Sequence, residues 1–220
     1  MKKTFKSILA VAGVLGLTFA LNAVKSQNIS AAEKLPAQTT KELKEKGTLT
    51  IGLEGTFAPY SYRKDGKLTG FEVELGKQLA KEMGLKAKFV PTKWDGLIAG
   101  LDTGKYDVVL NNVTITKERK EKYLFSKPYI YSHFALITKK DSDLTKLSQI
   151  KGQKIAAGTG TDNAIIAKKY KATVVPSSDF TTSLDLVKQD RAKGAINSMS
   201  AWYAYKKDHS TKGLKATEIG

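Results

Sequence analysis

Leu49-Thr50-Ile51-Gly52-Leu53-Glu54-Gly55-Thr56-Phe57-Ala58-Pro59-Tyr60 is the stretch whose reading decides the fold. A short apolar run ends in a loop punctuated by Gly and Pro, the pattern of a buried strand that delivers its loop to the surface. Downstream, Asp65-Gly66 signals a turn. Phe71, Val73, Leu75, Leu79 and Met83 then fall in a helical stretch closed by Gly84, a residue suited to the left-handed position after a helix. Leu85, Ala87 and Phe89 alternate with Lys86 and Lys88, as in a half-buried strand, and 94–102 reads as a helix with Leu97, Ile98 and Leu101 inward. Residues 107–110 form a short apolar strand. The alternation resumes with strands at 134–138, 155–157, 173–175, 195–196 and 214–219, and with helices opening at 162 or 163, around Leu184 to Val187, and over 201–207. Strands alternating with helices predict an α/β fold with mostly parallel sheets. The polar run Lys139-Lys140-Asp141-Ser142 divides the elements into two lobes, 48–138 and 139–220.

The N-terminus speaks to compartment. Lys2, Lys3 and Lys6 precede an uncharged apolar run from Ile8 to Leu21, and a polar stretch follows that ends Ser30-Ala31-Ala32. That order is a secretory signal peptide over residues 1–32, cut after Ala32, because the apolar run is short of the roughly 20 residues a spanning helix needs. Residues 33–47 read as a polar leader with a short helix at 40–46. The chain has no cysteine, so its stability must come from a packed core, and no thiol is available for a lipid tether. The 37 basic and 21 acidic side chains give a net charge of +16. The signal peptide removes Lys2, Lys3, Lys6 and Lys25 and no acid, leaving 33 against 21, or +12. Such an excess favours anionic surfaces, and the extracellular address argues against nucleic acid. The expected location is secreted and associated with the cell surface without a lipid anchor.

Five motifs in order carry a family resemblance over residue 45 to the C-terminus. They are the run from Glu54 to Tyr60 with Gly70-Phe71-Glu72-Val73-Glu74-Leu75, the run from Trp94 to Leu101, and the run from Asp107 to Thr116. Glu118-Arg119 with Phe125-Ser126-Lys127-Pro128-Tyr129 follows, and Ala157-Gly158-Thr159-Gly160-Thr161 closes the set. Together they resemble the family-3 extracellular solute-binding proteins of amino-acid ABC importers, and most of all the cystine-binding and basic surface-protein branch of Gram-positive bacteria. The resemblance implies a two-lobe, periplasmic-binding-protein-like type II fold with mixed sheets flanked by helices. The ligand would lie between the lobes. It also implies that the chain stops short of the return segment that completes the first lobe.

A zwitterionic ligand needs partners for a carboxylate, an ammonium and a side chain. Arg119 falls on the family's anchor position, and its planar fork suits a carboxylate. Thr161 and Asp162 open a helix whose free N–H groups favour an anion, although capping is a sufficient reason for both. Asn112 and Thr114 stand at a strand's carboxyl end, where α/β sheets bind ligands, and would offer oxygens to the ammonium. Phe57 and Trp94 lie where the family places aromatic walls, and Glu54 on the first binding loop would favour polar or cationic side chains. Many relatives carry a carboxylate after the strand that reads Gly194-Ala195-Ile196-Asn197 here, and this chain has Ser198 instead, so the ammonium would rely on neutral acceptors, Asn197 and Ser198 included, or on Glu54.

Motifs for hydrolases, zinc proteases, Walker loops or a cysteine nucleophile are absent, and His133 and His209 stand far apart. Gly158-Thr159-Gly160 lacks the later glycine of a dinucleotide site, so no cofactor is expected, and no enzyme activity. Glu54 is the one carboxylate a dehydratase of this fold could use. Two functions compete. One is capture of a free amino acid, cystine or another polar one, for the membrane permease of an ABC importer. The other is a basic adhesin that binds collagen, mucin or an anionic cell-wall polymer.

Overall fold

The computed structural model describes residues 41–219, so the expected signal peptide and the leader up to residue 40 lie outside the described residues. From there the chain enters β1 (Thr48–Leu53), a hairpin of β2 (Tyr62–Lys64) and β3 (Lys67–Thr69) around the Asp65-Gly66 turn, helix α1 (Phe71–Glu82) and β4 (Lys86–Pro91). Two single-turn helices, α2 (Trp94–Leu97) and α3 (Ala99–Asp102), lead to β5 (Val108–Val109) and a third, α4 (Lys117–Lys120). β1 is the centre of a parallel three-stranded sheet in the order β4-β1-β5.

The second sheet has five strands: β6 (Phe134–Lys139), β7 (Lys154–Ala157), β8 (Thr173–Pro176), β9 (Gly194–Ser198) and β10 (Leu214–Glu218), in the order β10-β6-β9-β7-β8. β7 runs parallel to β8 and β9, whereas β6 is antiparallel to both β9 and β10, so this sheet is mixed. A 3-10 turn (Leu147–Ile150) and α5 (Asp162–Lys169) cover one face, burying Ile150 and Ala167 against Leu136, Ile155 and Ile196. α6 (Phe180–Lys188) and α7 (Met199–Asp208) cover the other, where Leu184, Val187 and Trp202 meet Ala135, Ile137, Ala156 and Ala195.

The structure moves the lobe boundary. All six residues of β6 pair within the second sheet, so the second lobe starts ahead of Phe134 and not at 139. The run Lys139 to Ser142 is a turn inside that lobe. A short apolar strand carries no mark of the sheet it will join, which is why the polar run looked like the crossover. The expected helix at 94–102 is broken into α2 and α3. Of the apolar residues of α1, Phe71 is 48% exposed whereas Val73 is buried, and Glu72 between them is buried as well.

The first lobe closes on one aromatic side chain. Tyr106 is buried, and its hydroxyl donates to the Leu97 carbonyl oxygen. Its ring lies so close to Gly52 that a Cβ there would meet ring carbons at 2.6 Å. Gly52→Ala should therefore cost about 1–3 kcal/mol through overpacking, read as a lower urea midpoint. Gly96→Ala is the control: its Cβ would meet nothing nearer than 3.7 Å, and it lies in α2, so its midpoint should hold or rise.

Candidate ligand-binding site

β1 ends at Leu53 and β5 at Val109, and both hand their loops to the gap between the sheets. The second sheet offers the same gap the ends of β7, β8 and β9. A cavity of about 360 Å³ fills it. Eight of the nine expected residues line it: Glu54, Phe57, Trp94, Asn112 and Thr114 from the first lobe, and Thr161, Asp162 and Ser198 from the second.

Arg119 is not among the lining residues. Its side chain spans the lobes instead, Nη1 donating to the Thr114 carbonyl oxygen at 2.8 Å and Nη2 to that of Gly160 at 3.1 Å. The guanidinium carbon lies 5.5 Å from the centre of the Trp94 ring, within cation–π range. Trp94 makes its own bridge, Nε1 donating to the Thr159 carbonyl oxygen at 3.0 Å. Thr114 Oγ1 donates to the Asp162 carboxylate, and the Tyr60 and Ser200 hydroxyls meet at 2.5 Å. The lobes thus touch along the cleft on both sides.

Several expected oxygens already hold local work. Thr161 caps α5, accepting from the Ala164 amide at 3.2 Å, and Ser198 caps α7, accepting from the Ala201 amide at 3.1 Å and from the Ser200 hydroxyl at 3.0 Å. The Asn197 side-chain oxygen accepts from the Ser198 amide at 2.8 Å.

Four further residues belong to the site and went unread in the sequence. Asn111 is buried and holds Glu54 twice, its Oδ1 accepting from the Glu54 amide and its Nδ2 donating to Glu54 Oε2, both at 2.8 Å. Asp179, at the carboxyl end of β8, caps α6 by accepting from the Thr182 amide at 2.8 Å and lines the cavity. The serine-rich Ser177-Ser178-Asp179 loop carried that capping signal. Tyr129 lines the cavity, and the buried Glu72 lies behind it. Glu72 Oε1 accepts from the Tyr129 hydroxyl at 2.6 Å and from the Asn112 amide. Asn112 has φ 46°, a left-handed conformation that Asn tolerates well, and this bend aims its N–H down at Glu72.

The charges lining the cavity are Glu54, Asp95, Asp162 and Asp179 against Lys127. Burial pushes Glu54 above the usual carboxylate range, with Asp179 and Asp95 adding to the shift against the hydrogen bond from Asn111. Burial would raise Asp179 too, but hydrogen bonds from Thr182 and Ser178 outweigh it and hold that carboxyl low. Among the described residues no group of three His, Cys, Asp or Glu could hold a metal ion.

The bacterial extracellular solute-binding proteins, family 3, match residues 49–215 as a family model. The chain belongs to this family. It is similar to the L-cystine-binding protein TcyJ of Escherichia coli (strain K12), 51% identical over 124 residues, 55% of this chain and 47% of that protein. It is also similar to the L-cystine-binding protein TcyA of Bacillus subtilis (strain 168), 34% identical over 100% of this chain and 82% of that protein. The match to TcyJ thus spans about half of that relative's length. Among solved structures, an ancestral arginine-binding protein bound to arginine superposes with a TM-score of 0.72 at 34% identity, covering 78% of each chain. The ancestral amino acid-binding protein AncCDT-1, described as a precursor of cyclohexadienyl dehydratase, gives 0.74 at 33% identity over 83% of this chain and 82% of that one. These neighbours carry the type II binding-protein fold. Membership implies a secreted or periplasmic address.

Glu72 gives this family-3 protein a measurable pH signature. The carboxyl is fully buried, Oε2 has no hydrogen-bond partner among the described residues, and burial chiefly raises it from 4.5 to about 7. Between those values the folded state binds more protons than the unfolded chain. The group's contribution is therefore present on the acid side and is lost as pH rises through about 7. The loss is on the order of 3 kcal/mol at most. Urea unfolding at pH 5 and pH 8 should show a smaller drop for Glu72→Gln than for the parent chain. Equal drops would remove Glu72 as the source.

Proposed function

We propose that the chain captures a free amino acid between its lobes and passes it to the membrane permease of an ABC importer, without catalysis. The observation that carries this reading is the cavity walled by both lobes, with acids inside it and a guanidinium at its edge. Arg119 supplies five N–H donors, of which two are engaged, so its fork can take a ligand carboxylate by yielding the Gly160 carbonyl. Glu54, held in place by Asn111, and Asp179 replace the carboxylate that relatives carry at Ser198 as acceptors for an ammonium. Phe57 and Trp94 pack the ligand's side chain, and the Asn112 and Thr114 oxygens complete the polar shell. Four carboxylates against one lysine favour a ligand with more than one cationic group. Cystine brings two ammonium groups for those acids, with two carboxylates for Arg119 and Lys127, and two relatives are named for binding it. Attachment to collagen, mucin or a cell-wall polymer has the net charge alone behind it, and the cleft supports amino-acid capture.

The test is a thermal-melt screen of the full chain against the common amino acids and cystine. A ligand at about 100 times its dissociation constant stabilises the native state by about 2.7 kcal/mol, and cystine should give the largest shift. No shift with any of them would overturn the proposal. Arg119→Ala should weaken every amino acid that binds by at least tenfold in calorimetry, because the carboxylate is common to all of them, and affinity retained within threefold would reassign the carboxylate site.

A further inference from the structure

The second lobe is electrically polarised along its strands. At one end β6 starts beside the cleft, with Phe134 opposite Ser198. At the other, register brings Thr173 opposite Lys154, Thr138 opposite Gly194 and Leu214 opposite Lys139. Six lysines follow this far edge: Lys171, Lys154, Lys193, Lys139, Lys140 and Lys212. Backbone hydrogen bonds fix three of the turns along this edge. The Gly152 amide donates to the Lys171 carbonyl at 2.8 Å, that of Lys193 to Lys154 at 2.8 Å, and that of Lys140 to Gly213 at 2.8 Å. All but Lys139 are exposed, and Lys139 alone of the six pairs with an acid, Asp190, among the described residues.

Helix ends widen the row into a field. The last turns of α5 on one face of the sheet, and of α6 and α7 on the other, all carry lysine. Attraction to the helix dipoles accounts for those. It does not account for Lys154, Lys193, Lys140 or Lys212, which sit on strand ends and turns. Five strands about 4.8 Å apart spread the row over about 19 Å, and the two helix layers give it depth. Lysine is a point charge on a flexible stem, which suits phosphates at no fixed spacing better than one shaped ligand.

We propose that this lysine-covered end of the second lobe docks on an anionic phospholipid surface, leaving the cleft at the opposite end free to load. A two-dimensional field fits a planar array of headgroups, where each nearby lysine adds to the attraction. A linear polyanion would engage only part of it.

The full chain should be sedimented with vesicles of neutral phosphatidylcholine and of the same lipid with 30 mol% phosphatidylglycerol, so that the apolar N-terminal run contributes to both. Binding should be at least tenfold stronger to the anionic vesicles and should largely disappear at about 0.5 M salt, where screening shortens the reach of exposed charges. Lys154→Glu/Lys171→Glu/Lys193→Glu should lower it at least tenfold, and the glutamine triple should lower it by less. An equally charge-reversed control in the first lobe, Lys64→Glu/Lys67→Glu/Lys81→Glu, should stay within twofold, with melting temperatures confirming that all variants fold. Equal binding to both vesicles, or equal losses in the two glutamate triples, would overturn the proposal. So would capture by immobilised polyphosphate without capture by anionic vesicles.

Discussion

Parallel pairing imposes the constraint on which the rest of this molecule depends. In a parallel sheet every strand must leave by the same edge, so the loops after β1 and β5 emerge together, and so do those after β7, β8 and β9. Residues that line the cavity gather at those edges because they sit where the chain must turn anyway. Glu54 is the residue after β1, Asn111 and Asn112 follow β5, and Asp179 follows β8. Capping and binding then draw on the same oxygens. Thr161, Asp179 and Ser198 each satisfy a helix amide while facing the cavity, so each is fixed in orientation by the fold before any ligand arrives.

The same constraint sorts charge. Strand carboxyl ends and helix N-termini of the second lobe meet at the cleft, where acids cap amides. Helix C-termini and the starts of every strand but the antiparallel β6 lie at the far end, where lysines accumulate. An overall positive charge therefore coexists with an acidic cavity, and composition alone hides that separation. The surplus of +12 expected after removal of residues 1–32 describes the far end and the first-lobe surface, not the binding site.

Most of the element order was legible, because each buried strand is a short apolar run closed by a turn signal. What failed did so where two environments look alike in one dimension. Phe71 reads as the start of an apolar helix face, yet it stands half out in solvent while its neighbour Glu72 is buried. Periodicity assumes that a buried position is apolar. Glu72 breaks that assumption because the floor of the cleft needs an acceptor for the Asn112 amide, a demand that comes from a strand 40 positions away. β6 was assigned to the wrong lobe for a related reason: pairing is a property of partners, and 134–138 reads equally well beside either sheet. The binding residues were more legible than the pairing. Eight of them line one cavity: Thr161, Asp162, Asn112 and Thr114 carry local signals, a helix opening or a strand end, whereas Glu54, Phe57, Trp94 and Ser198 are placed by the family resemblance. Asn111 shares the strand end of Asn112, and its part, holding Glu54 from a buried position, comes only from the fold.

Arg119 bears on how the cleft works. Its engagement with the Thr114 and Gly160 carbonyls, with the Trp94 to Thr159 bond and the Tyr60 to Ser200 contact, joins the two lobes across the cleft. Each such bond is worth about 1 kcal/mol net, because water would satisfy the same groups in an open form. Three or four of them together match the few kcal/mol that separate two populated conformations. Closure built from neutral carbonyls is weak by design of chemistry. A carboxylate offered to the same guanidinium makes a charge-assisted, bidentate contact roughly twice as strong per bond. That difference exists only when a ligand is present, and it falls on the residue that already spans both lobes. A ligand carboxylate of the proposed kind would therefore strengthen the hold of the one guanidinium that reaches both lobes.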